Sequence, residues 1–332
     1  MAEYSDVLVF AELKEGRLAS ISAEMLGCGR KLADDLDQQL GVVLAGSGVA
    51  GIAKEAVAAG ADKVYVVDDP LLADYQTDTY VAVMEKVVKE VMPRIILMGQ
   101  TSIGRDLAAR LAFRLGTALT KDCVGLVIEP NSKQLQCTKP VYGGNALAVL
   151  SSENYPQMAT IRTKAMSPLE PDASRQGETL NITAGIDTSV IRAKLVKKVP
   201  EEISGIKLED AEVVVSGGRG IGGAEGFQQL EGLAKLMNGA VGGSRPPCDN
   251  GWIQDRAQVG LTGKIIAPNL YIAVAISGAS QHMAGCSGSK NMVAINKDPE
   301  ASIFKYANLG IVGDWKKVLP AFSDKVKELL DS

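Results

Sequence analysis

The side chains best suited to chemistry crowd into one stretch of this sequence, Ser216 to Asp314. The stretch is entered by VVVSGGRGIGG (213–223), an apolar run ending in a glycine-rich turn that carries Arg219. Glycines let a backbone approach a ligand closely, and the free N–H groups opening a following helix suit phosphate. The guanidinium adds forked donors of fixed geometry. Glycines at 217, 218, 220, 222 and 223 do not give the GxGxxG spacing, so a plain tight turn is the competing reading. Next, VGGSRPPCDNGW (241–252) offers the Ser244 hydroxyl and the permanent charge of Arg245 just past a short strand. Open α/β sheets hold ligands at such strand ends. A salt-bridged surface arginine is the alternative there.

QVGLTGKIIAP (258–268) supplies Val259, Gly260, Leu261 and Thr262 ahead of Lys264. It is not the GxxxxGK[ST] phosphate loop, because Gly260 and Gly263 are three apart and Ile265 follows the lysine. SGASQHMAG (277–285) then leaves the apolar run YIAVAI and carries His282, the sole histidine. A lone histidine is more often structural than liganding, but a Gly/Ser-rich strand-to-helix junction favours a ligand role. Finally AINKDPEA (294–301) and GIVGDW (310–315) put Asn296 and Asp314 at further strand ends. Such groups cap helices or bind ribose and adenine. Five junctions of this kind in one domain suggest a nucleotide-like cofactor.

Other chemistries lack their residues. The five cysteines, at 28, 123, 137, 248 and 286, form no CxxC pair. With one histidine beside them, no metal site, disulfide framework or hydrolase triad is expected. A net charge of −4 gives no global field for nucleic acid or an anionic membrane. No apolar run reaches the ~18 residues of a membrane span, so no membrane insertion is expected. The opening MAEYSDVLVFAELKEGR reads as neither a secretory signal nor a transit sequence. A cytoplasmic, bacterial location is the resulting expectation.

These junctions need elements to hold them. At 332 residues, with 46% hydrophobic and 22% charged, the chain suits two soluble α/β domains. Strands at 7–13, 42–46, 64–69 and 94–99 alternate with helices at 22–36, 52–60, 77–92 and 104–115. This implies βαβ units and a mostly parallel sheet. Apolar runs in 123–129, 134–152 and 158–163 read as consecutive strands, antiparallel additions to that same sheet. Residues from about 165 are a connecting segment with at most one strand, so the expected domains are 1–200 and 201–332. In the second, a helix near 225–237, strands within 264–277, 292–296 and 311–314, and a final helix over 315–330 are expected.

The succession VVVSGGRG, GGSRPPCDNGW, QVGLTGK, LYIAVAISGASQH, AINKDPEASIF and GIVGDW resembles the C-terminal domain of electron-transfer flavoprotein alpha subunits. GRDLAARLAFRLGTALTKDC (104–123) resembles the family's first domain, so the likeness spans nearly the whole chain. It implies two Rossmann-like domains with mostly parallel sheets, the second binding one FAD. By the same resemblance, Arg219 and Ser244 contact the FAD phosphates or nearby groups, Arg245 lies against the isoalloxazine, and Thr262 faces its N5 region. Val259, Gly260 and Leu261 line that loop. Ser277, Gly278, Ala279, Ser280, Gln281 and His282 wrap the ribityl chain and ring, with His282 near the C2 carbonyl. Asn296, Asp314 and Trp315 reach the adenosine end. The family has no stand-alone catalytic residue, and redox tuning falls to Arg245, His282 and Thr262.

The implied partner is a beta subunit carrying a second FAD or AMP. The resemblance implies an electron carrier between acyl-CoA dehydrogenase-type flavoenzymes of fatty acid beta-oxidation and a downstream acceptor. A bifurcating complex that oxidises NADH and reduces ferredoxin or flavodoxin is the alternative. Two departures stand out: Leu261 replaces the family's usual Gln, and Ser280 its usual Ile.

Overall fold

The computed structural model describes residues 4–144, 146–193, 195–197 and 205–330. Contacts divide the chain into two compact units, Met1–Pro140 with Leu147–Val199, and Val141–Ala146 with Pro200–Ser332.

The first unit begins with strand β1 (Ser5–Ala11), the short β2 (Leu13–Lys14) and β3 (Arg17–Leu18), and helix α1 (Ser20–Leu36). Then come β4 (Leu40–Gly46), α2 (Ala53–Ala58), β5 (Lys63–Asp68), α3 (Thr77–Val91), β6 (Pro93–Gly99) and α4 (Ser102–Leu115). Each long helix buries one apolar stripe: Tyr80, Val83, Met84 and Val87 on α3, Leu107, Ala108 and Leu111 on α4. The Thr101 hydroxyl caps α4 by accepting from the Gly104 N–H at 2.9 Å. Pro93 was expected to stop α3; the helix ends at Val91, left-handed Met92 caps it, and Pro93 opens β6.

The second half of this unit corrects one expectation. Strands β7 (Leu119–Cys123), β8 (Gly125–Ile128), β9 (Leu135–Val141), β10 (Ala146–Leu150), β11 (Gln157–Ile161) and β12 (Glu178–Asn181) follow. They are not one antiparallel extension. The main sheet has seven strands in the order β12-β5-β4-β1-β6-β11-β7, and every pairing is parallel. Only β8, β9 and β10 stand apart, as a three-stranded sheet in which β8 and β9 are antiparallel. The reason is burial. All five residues of β11 are buried, as in a parallel strand covered on both faces, whereas β8 alternates between buried and less buried positions. The one strand of the connecting segment, β12, lies parallel to β5 at the sheet's edge.

The second unit runs β13 (Val213–Gly217), α5 (Ala224–Leu236), β14 (Ala240–Gly243), α6 (Arg245–Asp249), β15 (Leu270–Val274), α7 (Ser280–Cys286), β16 (Asn291–Asn296), β17 (Leu309–Val312) and α8 (Trp315–Leu330). The strand expected somewhere within 264–277 occupies only Leu270–Val274, after Pro268, which has no N–H for a ladder. Its sheet has the order β14-β13-β15-β16-β17, all parallel. One core packs around Tyr271, Met283, Ala294 and Ile303, and another around Phe227, Leu230, Ile272 and Trp315. Both units are therefore α/β with parallel sheets of the doubly wound kind. Among the described residues no helix is long and apolar enough to cross a membrane, and no cluster of His, Cys, Asp or Glu is placed to hold a metal.

Candidate functional site

Strand order fixes where the second unit can bind. From β13 the chain passes through α5 to β14 on one side, then returns to β15 on the other. Loops leaving β13 and β15 therefore diverge over the C-terminal strand ends, and a crevice opens between them. A cleft of about 900 Å³ lies there, near the upper end of the range for small-molecule sites. Arg219 and Gly220 enter it from the turn after β13, Ser244 and Arg245 from the start of α6. Val259, Gly260, Leu261 and Thr262 come from the loop beyond α6, and Ser277, Ala279, Gln281 and His282 from the loop after β15 and the start of α7. Asn296 comes from the end of β16.

Two glycines make the crossing of these loops possible. A Cβ on Gly218 would stand 2.1 Å from the Ala275 carbonyl oxygen, and one on Gly278 2.3 Å from the Ile303 nitrogen. Gly278 also has φ +84°, where a side chain is strained. The 258–264 loop is tied down by its backbone: Lys264 N–H donates to the Gln258 carbonyl at 2.7 Å, and Leu261 N–H to that of Gln281 at 2.7 Å. The Gln258 amide donates to the Thr262 hydroxyl at 2.9 Å, leaving the hydroxyl proton for another acceptor.

His282 is held from both sides. Its Nδ1 lies 3.0 Å from the Val259 carbonyl oxygen and its Nε2 2.8 Å from the Tyr271 hydroxyl. A carbonyl only accepts, so Nδ1 carries the proton and Nε2 accepts from the phenol. Burial pushes the imidazole down to about 4, against the opposing pull of the Val259 carbonyl, and raises the phenol well above its ordinary range. The ring is neutral near pH 7. His282 thus lines the cleft, where the resemblance places it near a flavin carbonyl, and the protein engages both of its ring nitrogens.

Asn296 lines the cleft and also braces it, donating to the Ile276 carbonyl at 2.9 Å and accepting from Asp298 N–H at 3.0 Å. Gly278, Ser280, Asp314 and Trp315 lie outside the lining. Ser280, at the exposed start of α7, donates weakly to Gln281 at 3.4 Å. Asp314 receives the Lys316 N–H at 3.0 Å at the head of α8. Trp315, only 6% exposed, donates its indole N–H to the Gly220 carbonyl at 3.1 Å. It acts on the cleft through the turn that presents Arg219.

Sequence reasoning missed Asp249, Gln258, Asp298 and Glu300, all in the lining, and Tyr271 behind it. The spacing Arg245-x-x-x-Asp249 was the one available signal, since four residues make a helical neighbour. A second hollow, about 750 Å³, lies by α3 and α4 of the first unit. Its Arg110, Arg114 and Arg192 are each ion-paired, to Asp78 or Glu85. In the crevice, by contrast, the Arg219 side chain makes no ion pair among the described residues.

A doubly wound unit with a glycine-closed crevice that carries two arginines at its switch point defines a nucleotide-cofactor-binding protein, and comparison narrows the class to flavoproteins. Residues 7–186 match the electron transfer flavoprotein domain and residues 207–287 the electron transfer flavoprotein FAD-binding domain. The chain belongs to the electron transfer flavoprotein alpha-subunit family. It is 46% identical over 330 residues to electron transfer flavoprotein subunit alpha of Thermoanaerobacterium thermosaccharolyticum, spanning 99% of this chain and 100% of that one. It is 43% identical to the protein of that name in Megasphaera elsdenii, over 99% and 98% of the two chains. It is 41% identical to protein FixB of Clostridium saccharobutylicum, over 100% and 99%. The residues fit the flavin dinucleotide that this family's domain binds: the guanidinium of Arg219, with no ion pair among the described residues, suits its phosphates, and the glycine-closed crevice gives it room.

Proposed function

We propose that this chain holds one FAD in the cleft of its second unit and serves as the alpha subunit of a two-subunit electron carrier. Bound FAD supplies one- and two-electron redox chemistry, and the protein binds, orients and tunes it. Arg219 holds the pyrophosphate through forked hydrogen bonds. Arg245 places a permanent cation in a partly desolvated cleft, which favours the more negative, reduced form of the ligand. Thr262, already accepting from Gln258, has its proton free for a ligand acceptor. Ser244 adds a hydroxyl at the head of α6. Buried Val259 and Ile276 keep water from one wall. The partner is a beta subunit carrying a second FAD or AMP, and the electron donors are acyl-CoA dehydrogenase-type enzymes.

The observation that carries this reading is the convergence of Arg219, Ser244 and Arg245 on a glycine-closed crevice at the switch point. The test is the absorption spectrum and extracted flavin content of the purified two-subunit protein. One FAD per alpha chain is expected, falling at least ten-fold in affinity for Arg219→Ala, on the order of one charge-assisted contact. A colourless complex that takes up no FAD sinks the reading. Flavin counting also separates two roles: FAD with AMP marks the simple carrier, and two FAD the bifurcating complex that couples NADH oxidation to reduction of ferredoxin or flavodoxin.

A further inference from the structure

We infer that Asp249 is a positioning residue for Arg245, holding its guanidinium in the cleft and damping the charge it presents to the flavin; this rests on the FAD reading above. Arg245 and Asp249 are the first and last residues of α6, one helical turn apart on the same face, and both line the cleft. Arg245 Nε and Asp249 Oδ2 are 3.2 Å apart. The contact engages Nε, so the two terminal amino groups keep their N–H donors for a ligand.

The helix that carries the pair is stiff. Pro246 and Pro247 follow the arginine, Ser244 N–H donates to the Gly217 carbonyl at 3.0 Å, and Trp252 N–H to the Pro247 carbonyl at 2.9 Å. Arginine and aspartate are thus presented as one unit anchored to the end of β13.

The surrounding charges make the damping consequential. Among the described residues lining the cleft, the cations are Arg219 and Arg245, and the carboxylates are Asp249, Asp298 and Glu300. His282 is neutral, and the Asp298 carboxylate accepts the Glu300 N–H at 3.0 Å. Asp249 is the carboxylate that meets a cleft arginine. Its value cannot lie in fold stability, since the two side chains are 68% and 58% exposed and such pairs contribute little. A carboxylate this close to the cation offsets much of its pull on electrons added to a neighbouring ligand.

Asp249→Asn separates orientation from charge. Asparagine keeps an oxygen for Arg245 Nε and loses the negative charge, so the cation acts undamped. Reduced FAD then gains about ten-fold in affinity over oxidised FAD, the order expected for one charge a few ångströms from the cofactor. That is a rise in midpoint potential of about 59 mV for a one-electron step or about 30 mV for a two-electron step. Asp249→Glu restores the charge and returns the potential toward the parent value. The experiment is spectroelectrochemical titration of the intact two-subunit protein and both variants, with FAD content and thermal midpoint measured alongside. A colourless parent protein overturns the FAD reading itself. With FAD bound and melting unchanged, an Asp249→Asn potential equal to or below the parent's overturns the inference, as does a shift that persists in Asp249→Glu.

Discussion

The Tyr271 hydroxyl donates to His282 Nε2 across 2.8 Å, and the same imidazole donates from Nδ1 to the Val259 carbonyl across 3.0 Å. This buried chain fixes the tautomer and leaves Arg219 and Arg245 as the cations of the cleft wall. Because the chain has a single histidine, its NMR signals are unambiguous. The folded imidazole is expected to remain neutral, protonated on Nδ1, from pH 8 down to pH 5. Its pKa is lowered to about 4 by burial, below an unfolded value near 6.5, so the unfolded chain takes up the proton first. Stability is therefore full above about pH 6.5 and lost as pH falls toward 4, by about 3 kcal/mol from this group. Tyr271→Phe leaves Nε2 buried without its donor and should cost about 1–3 kcal/mol. A signal that titrates near pH 6.5 in the folded protein refutes the arrangement.

The indole N–H of Trp315 reaches the Gly220 carbonyl from the first residue of α8. It pins the turn that carries Arg219. Trp315→Phe removes that hydrogen bond and part of the packing against Gly226, for a loss of about 1–2 kcal/mol in stability. If the turn serves the phosphates, FAD affinity should fall several-fold although Trp315 is not in the cleft lining. Urea unfolding with a parallel FAD titration checks both, and a variant with unchanged affinity denies the turn that function.

The alternation of strands and helices was plain in the sequence wherever a helix had a wide apolar face, as at Tyr80, Val83, Met84 and Val87, or a strand a continuous apolar run, as in β4 and β6. Glycine and hydroxyl clusters marked the strand ends of the second unit, since a ligand-side turn needs those residue types whatever its partner. Direction of pairing was hidden. QMATI is a short apolar run whose parallel place between β6 and β7 depends on residues far away in sequence. Side-chain engagement was hidden too. Nothing local distinguishes a core tyrosine from Tyr271 donating to His282, or shows that Asn296, besides lining the cleft, braces two loops. Asp314 and Trp315 stand just past a strand end as expected; what the sequence did not show is that Asp314 accepts a backbone N–H at the head of α8 and that Trp315 donates to the β13 turn.

Two glycines of the second unit should respond oppositely to alanine. Gly278→Ala places a Cβ 2.3 Å from the Ile303 nitrogen at positive φ, so backbone must move, with an expected loss of about 2–4 kcal/mol. Gly232, inside α5, has nothing within 4 Å of a built Cβ. Gly232→Ala should gain about 0.5–1 kcal/mol from helix propensity alone. Chemical denaturation of both variants is the check; equal effects would mean the loop after β15 is not packed against Ile303.

Glu24 gives the first unit a pH dependence of the opposite sign to that of His282. It is buried on α1, where its carboxylate accepts the backbone N–H groups of Lys164 and Met166, while Oε2 has no hydrogen-bond partner among the described residues. The segment it receives lies close on the helix, for a Cβ on Gly27 would come 2.4 Å from the Ser167 carbonyl oxygen. Burial raises its pKa to about 7, against the two N–H donors and the Lys164 charge. The folded value exceeds the unfolded one, so its contribution is full below about pH 4.5 and lost as pH rises through 7. After solvent screening, the loss is on the order of 1–2 kcal/mol. Glu24→Gln cannot ionise, so its stability relative to the parent should climb between pH 5 and pH 8, reaching a net advantage at the alkaline end. Urea unfolding of both proteins at the two pH values measures the difference directly. A constant offset between them would mean that Glu24 is ionised throughout and that the 164–169 segment is held by other contacts.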